Sequence, residues 1–329
     1  MIVTRAPLRL SLGGGGTDLP SYYSEYESEF IAGAIDKYVY MAVNRPAILD
    51  AVLVKYSISE QAASASGVKH DLVREALMFY GIDSNIEISS MADIPSGTGM
   101  GSSGSYIVAL VAALRQLQNM SSTTLELASE ACHIEIDRAS HPVGMQDQLV
   151  AAFGGIRHYR IARDGTVSTE PIRLHSSTLS ALERRLQLWF TGITRQSSTI
   201  LADQQHQTLH RNPGVVNNLH HTKELGRLIH NALVAGDIDH FGTLLDEHWQ
   251  NKRQRSSLMS DDDIDHIYNL ARRNGALGGK VVGAGGGGFL MLLAAEGAET
   301  RLATTISGQG MREMPFRFVK NGVEVLLRQ

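Results

Sequence analysis

The residues Pro95-Ser96-Gly97-Thr98-Gly99-Met100-Gly101-Ser102-Ser103-Gly104-Ser105 join two segments of different periodicity. The segment that begins at Asn85-Ile86-Glu87-Ile88 is typical of a strand, and apolar residues recur at helical spacing from 107 to 117. We therefore predict a strand, a glycine-rich loop and a helix that begins within 102–105. Backbone N–H groups in such a loop and the positive end of the helix dipole favour anions, and serine hydroxyls bond phosphate oxygens or a phosphate-bound Mg²⁺. The stretch predicts a phosphate site.

Two common phosphate-binding patterns do not account for this loop. The P-loop pattern is met nowhere, because near Gly279-Lys280 the positions of its first glycine and its final hydroxyl residue hold Asn274 and Val281. The dinucleotide pattern G-x-G-x-x-G is met at 99–104 and at 283–288. The first match has no carboxylate at a strand end about 20 residues later, and the second precedes a predicted strand at 289–293. The sequence therefore disfavours both a P-loop and a dinucleotide-binding site.

Two further glycine clusters flank the predicted elements. Gly13-Gly14-Gly15-Gly16 follows a predicted strand at 2–12, and 283–288 lies between predicted strands at 280–282 and 289–293. Clustered glycines indicate backbone that approaches a neighbour closely or adopts positive φ. The other predicted elements are strands at 29–43 and 185–191, helices at 70–80 and 123–138, and three helices between about 196 and 274.

The composition is that of a soluble globular protein. Of the 329 residues, 43% are hydrophobic and 19% are charged, and the net charge of −4 argues against a nucleic-acid partner. The single cysteine, Cys132, excludes an internal disulfide and fits a reducing compartment. No segment is apolar enough for a signal peptide or a membrane span. We expect a cytoplasmic protein without a membrane partner, and the sequence leaves its oligomeric state open.

The three glycine clusters together resemble the motifs of the GHMP kinases. Ala6-Pro7-Leu8-Arg9 with Gly13-Gly14-Gly15-Gly16-Thr17-Asp18 is similar to the first motif, and 280–289 is similar to the third. The loop at 95–105 resembles the second, P-x-x-x-G-L-x-S-S-A-x, with Met100 in place of leucine and Gly104 in place of alanine. The resemblance implies an α+β fold of two domains, an ATP-binding domain at 1–180 and a ferredoxin-like domain at 181–329.

Four other stretches narrow the resemblance to the sugar 1-kinase branch. They are 13–18, Ala34-Ile35-Asp36-Lys37-Tyr38, His141-Pro142-Val143-Gly144-Met145-Gln146-Asp147-Gln148 and Phe190-Thr191-Gly192-Ile193-Thr194-Arg195. Kinases of D-glycero-D-manno-heptose 7-phosphate match best, and L-fucokinase domains come next. The resemblance implies phosphorylation of the anomeric hydroxyl, giving a 1,7-bisphosphate for nucleotide-activated heptose and surface polysaccharide. A 1-kinase for an unphosphorylated sugar and a catalytically inactive sugar and nucleotide sensor remain as alternatives.

The resemblance also implies catalytic, nucleotide and metal roles. Asp147 would accept or orient the proton of the attacking hydroxyl, and Arg9 would lie beside it; the alternatives are a turn or cap residue and a surface arginine. Mg²⁺ would be held by Ser103, with Ser102 as a possible substitute, and by Glu135, which could instead be a solvated helix residue. The residues expected to bind ATP are Pro95, Ser96, Gly97, Thr98, Gly99, Met100, Gly101, Ser102, Ser103 and Gly104.

The sugar phosphate is expected to contact a second set of residues. Asp18 would bind sugar hydroxyls, although it could also cap the helix predicted after it. For the distal phosphate, Arg195 is the best candidate, while Lys252, Arg253 and Arg255 are weaker because charged runs on helices usually face solvent. The full set is Thr17, Asp18, Gly144, Asp147, Arg195, Gly285 and Gly286. His206 and His210, spaced i, i+4, lack the glutamate of a zinc protease motif and are expected to face solvent.

Overall fold

The computed structural model describes residues 1–194, 197–256 and 258–329. Within these ranges the strands form two sheets. In chain order the strands are β1 (Ile2–Gly13), β2 (Ser28–Asn44), β3 (Val52–Lys55), β4 (Ser59–Ala62), β5 (Ile86–Ala92), β6 (Ile156–Ile161), β7 (Val167–Pro171), β8 (Leu186–Phe190), β9 (Ala276–Val281), β10 (Phe289–Ala294), β11 (Arg312–Glu313) and β12 (Glu324–Arg328).

Helices cover the sheets and connect the strands. They are α1 (Pro20–Tyr26), α2 (Asp71–Phe79), α3 (Ser102–Leu117), α4 (Thr124–Cys132), α5 (Gln146–Phe153), α6 (Ser176–Arg185), α7 (Ser197–Leu209), α8 (Pro213–Ala235), α9 (Ile238–Arg253), α10 (Asp262–Arg273) and α11 (Glu299–Ser307). A 3₁₀ turn spans Ala65–Gly67 and a π-helical segment spans His133–Arg138. In the described parts of the chain, no helix combines the length and the apolar character needed to cross a membrane.

The first sheet is organised around the long strand β2. Its strand order is β12-β1-β2-β5-β3-β4, and β6 and β7 extend it from the other half of β2. β1 pairs along most of β2, whereas β6 pairs with residues 28–33 and β5 with residues 39–44. Apolar side chains of β1 and β2 pack under α3 and α5, which are buried along most of their length. This packing places the start of α3 and the start of α5 beside β1.

The second sheet has the ferredoxin-like arrangement. Its strands occur in the order β11-β8-β10-β9, and helices follow β8 and β10 in the chain. A buried cluster that includes Leu10 of β1, Leu188 of β8 and Ile229 of α8 joins the two sheets. The α+β fold expected from the resemblance is confirmed. The expected domain junction at 180 stays a prediction; that residue lies inside α6, and β12 returns to the first sheet.

Two of the predicted helical regions differ from the structure. Four helices, not three, lie between 197 and 273, because Gly236 at φ 75° ends α8 and Asp237 caps α9 by accepting a hydrogen bond from His240 N at 2.9 Å. The predicted helix at 123–138 changes from α to π geometry at His133. Such π segments are rare and occur often at functional sites. This one carries Glu135.

Candidate active site

A cavity of about 630 Å³ is bordered by all three glycine clusters. Gly15 and Gly16 come from the first cluster, 96–103 contributes from the second, and Gly283 and Ala284 come from the third. The second and third clusters pack directly on each other, because a Cβ atom added to Gly99 would lie 2.5 Å from the Val282 carbonyl oxygen. The dense glycines therefore let three backbone segments meet around one space.

The loop at 95–105, where the sequence predicted a phosphate site, forms one wall of the cavity. Gly97, Gly99 and Gly101 have φ of 78°, 80° and 78°, and α3 begins directly afterwards at Ser102. The members of the loop that line the cavity are Ser96, Gly97, Gly99, Gly101, Ser102 and Ser103. Four expected nucleotide residues, Pro95, Thr98, Met100 and Gly104, do not line it. Met100 is buried in the core, Thr98 Oγ1 donates to the Pro95 carbonyl at 3.1 Å, and Gly104 packs against Asp147.

Arg9 and Asp147 form an ion pair at the cavity. Arg9 Nε donates to Asp147 Oδ1 at 2.7 Å, and Arg9 Nη1 donates to the Gly99 carbonyl at 2.5 Å. Arg9 is 6% exposed on β1, and Asp147 lies in the first turn of α5, whose N-cap is Met145. Arg9 is therefore not a surface arginine and Asp147 is not a helix cap. The pair links the glycine-rich loop to the Asp147 carboxylate.

Asp18 also lines the cavity and is fixed by backbone donors, one of them from the residue before Asp147. Its Oδ1 accepts from Gly16 N at 3.0 Å and its Oδ2 accepts from Gln146 N at 3.1 Å. Burial raises the pKa of Asp18, and the nearby Asp147 charge adds to this effect. The cap of α1 is Leu19, so the alternative role of Asp18 as the cap is wrong. Gly144 is required because a Cβ atom there would lie 2.0 Å from Asp18 Oδ2.

The side chains predicted to bind Mg²⁺ lie at and behind the cavity wall. Ser102 and Ser103 line it, and Ser102 Oγ is buried without a hydrogen-bond partner. Glu135 is fully buried; its Oε2 accepts from Gln148 Nε2 at 2.6 Å, and its Oε1 lies 3.5 Å from His141 Nδ1 with no hydrogen bond. The prediction that Glu135 could be a solvated residue is wrong. Hydroxyl and carboxylate oxygens suit Mg²⁺, so these residues fit the ion chemically.

Some predicted substrate residues do not line the cavity. The Thr17 hydroxyl is buried, donates to the Gly14 carbonyl at 2.8 Å and lies 2.8 Å from Ser28 Oγ, so it stabilises the turn. Gly285 and Gly286 pack against Met259, while their neighbours Gly283 and Ala284 line the cavity. Arg195 lies outside the described residues. The substrate roles predicted for Thr17, Gly285 and Gly286 gain no support from these positions.

The cavity also contains basic side chains that the sequence analysis gave as weaker phosphate candidates or did not identify. Lys252, Arg255, Lys280 and His248 all line it and are at most 8% exposed. Sequence reasoning expected the charged run at 252–255 to face solvent. Only Arg253 does so in part, and it pairs with Asp265 outside the cavity. The sequence does contain a signal for two of them: His248 and Lys252 are spaced i, i+4, which puts both on one face of α9.

Comparison with known proteins gives relatives that cover most or all of this chain. D-glycero-alpha-D-manno-heptose 7-phosphate kinase of Campylobacter jejuni is 27% identical, with 98% of each chain covered. The bifunctional fucokinase/GDP-fucose pyrophosphorylase of Arabidopsis thaliana is 26% identical over 70% of this chain and 22% of its own. A solved D-glycero-D-manno-heptose 1-phosphate kinase of Bacteroides thetaiotaomicron has a TM-score of 0.81 at 22% identity, with both chains fully covered.

Two family models match the chain in the order that the fold requires. The model of the GHMP kinases N terminal domain matches residues 65–155, which include the loop at 95–105, α3 and Asp147. The model of the GHMP kinases C terminal matches residues 229–307, which include α9, β9, β10 and the third glycine cluster. The predicted kinase activity class is thereby confirmed, and the chain belongs to the GHMP kinase family.

Proposed function

We propose that the protein transfers the γ-phosphoryl group of ATP to the anomeric hydroxyl of D-glycero-D-manno-heptose 7-phosphate. The observation that carries the proposal is the Arg9–Asp147 ion pair beside the glycine-rich loop. The whole-chain similarity to a heptose 7-phosphate kinase supports the choice of sugar. The product would be the 1,7-bisphosphate, a precursor for nucleotide-activated heptose and surface polysaccharide.

Phosphoryl transfer needs positioning and charge neutralisation more than covalent chemistry from the protein. The loop at 95–105 and the start of α3 would bind the ATP phosphates through backbone N–H groups. The Asp147 carboxylate would orient the anomeric hydroxyl and take its proton while the oxygen–phosphorus bond forms and the bond to ADP breaks. Arg9 holds Asp147 in place and offsets negative charge that develops on the moving group.

Separate sets of oxygen atoms would hold Mg²⁺ and the sugar. A bound Mg²⁺ would neutralise charge on the ATP phosphates, with Ser102, Ser103 and Glu135 as its protein ligands. Asp18 would accept hydrogen bonds from sugar hydroxyls, since its side chain borders the cavity and is held rigidly by Gly16 and Gln146. We place the reaction in the cytoplasm, because the single cysteine is a buried free thiol.

The test is an ADP-release assay over hexoses, L-fucose, the heptose and heptose 7-phosphate, with phosphorus NMR of the product. We expect heptose 7-phosphate to have the highest kcat/KM and the new phosphate to be at C1. Asp147→Asn should lower kcat by about 10²–10⁴-fold and leave the Kd for ATP unchanged, because it removes the proton acceptor but keeps the volume. Preference for unphosphorylated fucose would favour a sugar 1-kinase of another kind. ATP binding without turnover of any sugar would favour a sensor.

A further inference from the structure

Four basic side chains form a buried cluster in the cavity without a carboxylate partner. Lys252, Arg255, Lys280 and His248 are 7%, 8%, 3% and 2% exposed. Lys252 Nζ donates to the carbonyls of Val281 at 3.0 Å and Gly283 at 2.6 Å, and Lys280 Nζ donates to the Leu12 carbonyl at 3.1 Å. Over the ranges that the structure covers, none of the four forms an ion pair with an acidic residue.

Arg255 and His248 also lack an acidic partner in the described parts of the chain. Arg255 donates to three neutral oxygens, Asn218 Oδ1 at 2.9 Å, Gln204 Oε1 at 3.0 Å and Thr222 Oγ1 at 2.7 Å. Both ring nitrogens of His248 are buried and have no hydrogen-bond partner among the described residues. Burial and the neighbouring cations lower the pKa of His248 and of Lys252 well below their usual values, and burial lowers that of Arg255 to about 10.

Such a cluster destabilises the ligand-free protein when its side chains are charged. Buried charges in proteins are normally paired, because an uncompensated charge loses its hydration without gaining an ionic partner. A cluster of this kind is typical of a site whose counter-charge arrives with a ligand. Its members all border one cavity, so a single anion could contact them from that side.

Arg255 places one side of the cluster beside the residues assigned to the sugar. Arg255 lies against the first glycine cluster, since a Cβ atom on Gly16 would be 2.7 Å from Arg255 Nη1. Gln204, which accepts from Arg255, also donates to the Gly16 carbonyl at 2.8 Å. Gly16 in turn donates to Asp18, the carboxylate assigned to sugar hydroxyls. The helix that begins at Ser102 and favours the ATP phosphates comes from a different segment of the cavity wall.

We propose that Lys252, Arg255, Lys280 and His248 form an anion subsite that binds the phosphate already present on the sugar substrate. The inference rests on the proposed function and names the residues that would select a phosphorylated sugar. Two lysines, an arginine and a histidine together supply enough donors for a phosphate monoester dianion. The subsite does not require Arg195.

The main test compares Lys252→Met with Arg253→Met. The two residues are neighbours on α9, but Arg253 pairs with Asp265 outside the cavity, so its variant is the matched control. For Lys252→Met we expect the KM for heptose 7-phosphate to rise at least 30-fold. The KM for ATP and the weak use of the unphosphorylated heptose should stay within about twofold, and Arg253→Met should match the native enzyme. An increase confined to ATP, or one of equal size for both sugars, would overturn the proposal.

A second measurement uses the native protein, so it does not depend on whether a variant folds. Titration calorimetry at pH 8 in two buffers of different ionisation enthalpy measures proton uptake on binding. We expect heptose 7-phosphate to take up protons and the unphosphorylated heptose to take up none, because an anion raises the pKa of the buried lysines. Equal proton uptake for both sugars would refute the subsite.

The outcomes separate this inference from the proposed reaction. If both sugars are phosphorylated with equal kcat/KM, the kinase activity stands and the subsite fails. If no sugar is phosphorylated, inorganic phosphate serves as the probe in the same titrations. Phosphate binding with proton uptake that Lys252→Met abolishes and Arg253→Met retains would support the subsite, although the reaction would be wrong. No binding in that case would refute both.

Discussion

Gly104 provides a sharp test of how Asp147 is positioned. A Cβ atom added at Gly104 would lie 2.5 Å from Asp147 Cβ and 2.9 Å from both Asp147 C and Gln148 N. Ordinary contact begins at 3.4 Å, so Gly104→Ala requires α3 and α5 to separate by about 0.9 Å. The atoms involved are backbone and Cβ atoms, which cannot move out of the way by changing a rotamer.

The substitution has opposite effects on activity and on helix stability. Alanine in α3 favours the helix by about 1 kcal/mol over glycine. A displacement of Asp147 by about 1 Å should lower kcat about 10²-fold, equivalent to about 2.7 kcal/mol in the activation barrier. The GHMP motif has alanine at this position, so the loss would reflect how closely α5 approaches α3 in this chain.

The assay measures kcat, the Kd for ATP and the free energy of unfolding in urea for Gly104→Ala. Gly67→Ala is the control, because a Cβ atom there meets only Ala62 Cβ at 3.4 Å and lies outside the cavity lining. We expect a large fall in kcat with unfolding free energy within about 1 kcal/mol of the native value. A kcat within threefold of the native enzyme would refute the reasoning that the spacing between α3 and α5 fixes Asp147.

Three other predictions concern the cavity walls. Gly144→Ala places a Cβ atom 2.0 Å from Asp18 Oδ2, so the KM for the sugar should rise at least tenfold in steady-state assays while the KM for ATP stays unchanged. Burial, then Arg9 and Arg255, lowers the pKa of Lys280 to about 7, so its charge destabilises the ligand-free fold by about 4 kcal/mol at pH 7. Lys280→Met should therefore raise the unfolding free energy in urea at pH 7. The gain is reduced by about 1–3 kcal/mol because the buried Leu12 carbonyl loses its donor, and it should fade as pH rises towards 10.5. A destabilised variant at pH 7 would contradict the unpaired-charge argument. Glu135→Gln should raise the Mg²⁺ concentration for half-maximal activity about tenfold with little change in the KM for the sugar, and an unchanged Mg²⁺ requirement would remove Glu135 from the metal site.

Local signals predicted much of the fold. The change from period-two to helical spacing around 95–105 located β5 and α3, and the clusters of glycine indicated where three backbone segments meet. The pairing of Arg9 with Asp147 spans 138 positions and followed only from the resemblance, since no local pattern reports a contact at that separation. The sequence therefore indicated candidate site residues, whereas the contacts between them are set by the fold.

The sequence did not predict which of the polar and charged side chains are buried. Lys252 and Arg253 are adjacent and both basic, yet one faces the cavity and the other pairs with Asp265. Which side of α9 is covered depends on how that helix packs on β9, and this is set by the whole second sheet. Thr17 shows the opposite difference: a threonine beside Asp18 in a motif was expected to bind substrate, but its hydroxyl is buried and stabilises a turn.

The pairing of β12 with β1 has a consequence for how the enzyme assembles. Ile2 pairs with Arg328, and Met1 N donates to the Gln329 carbonyl at 3.2 Å, so the two ends of the described chain lie side by side. The strand that carries Arg9 thus keeps an open edge until residues 324–328 have been synthesised. Open strand edges invite pairing with other chains, and contacts between distant segments form slowly. A fragment ending near 180 would expose this edge permanently, so we expect the ATP-binding half to aggregate when it is made alone.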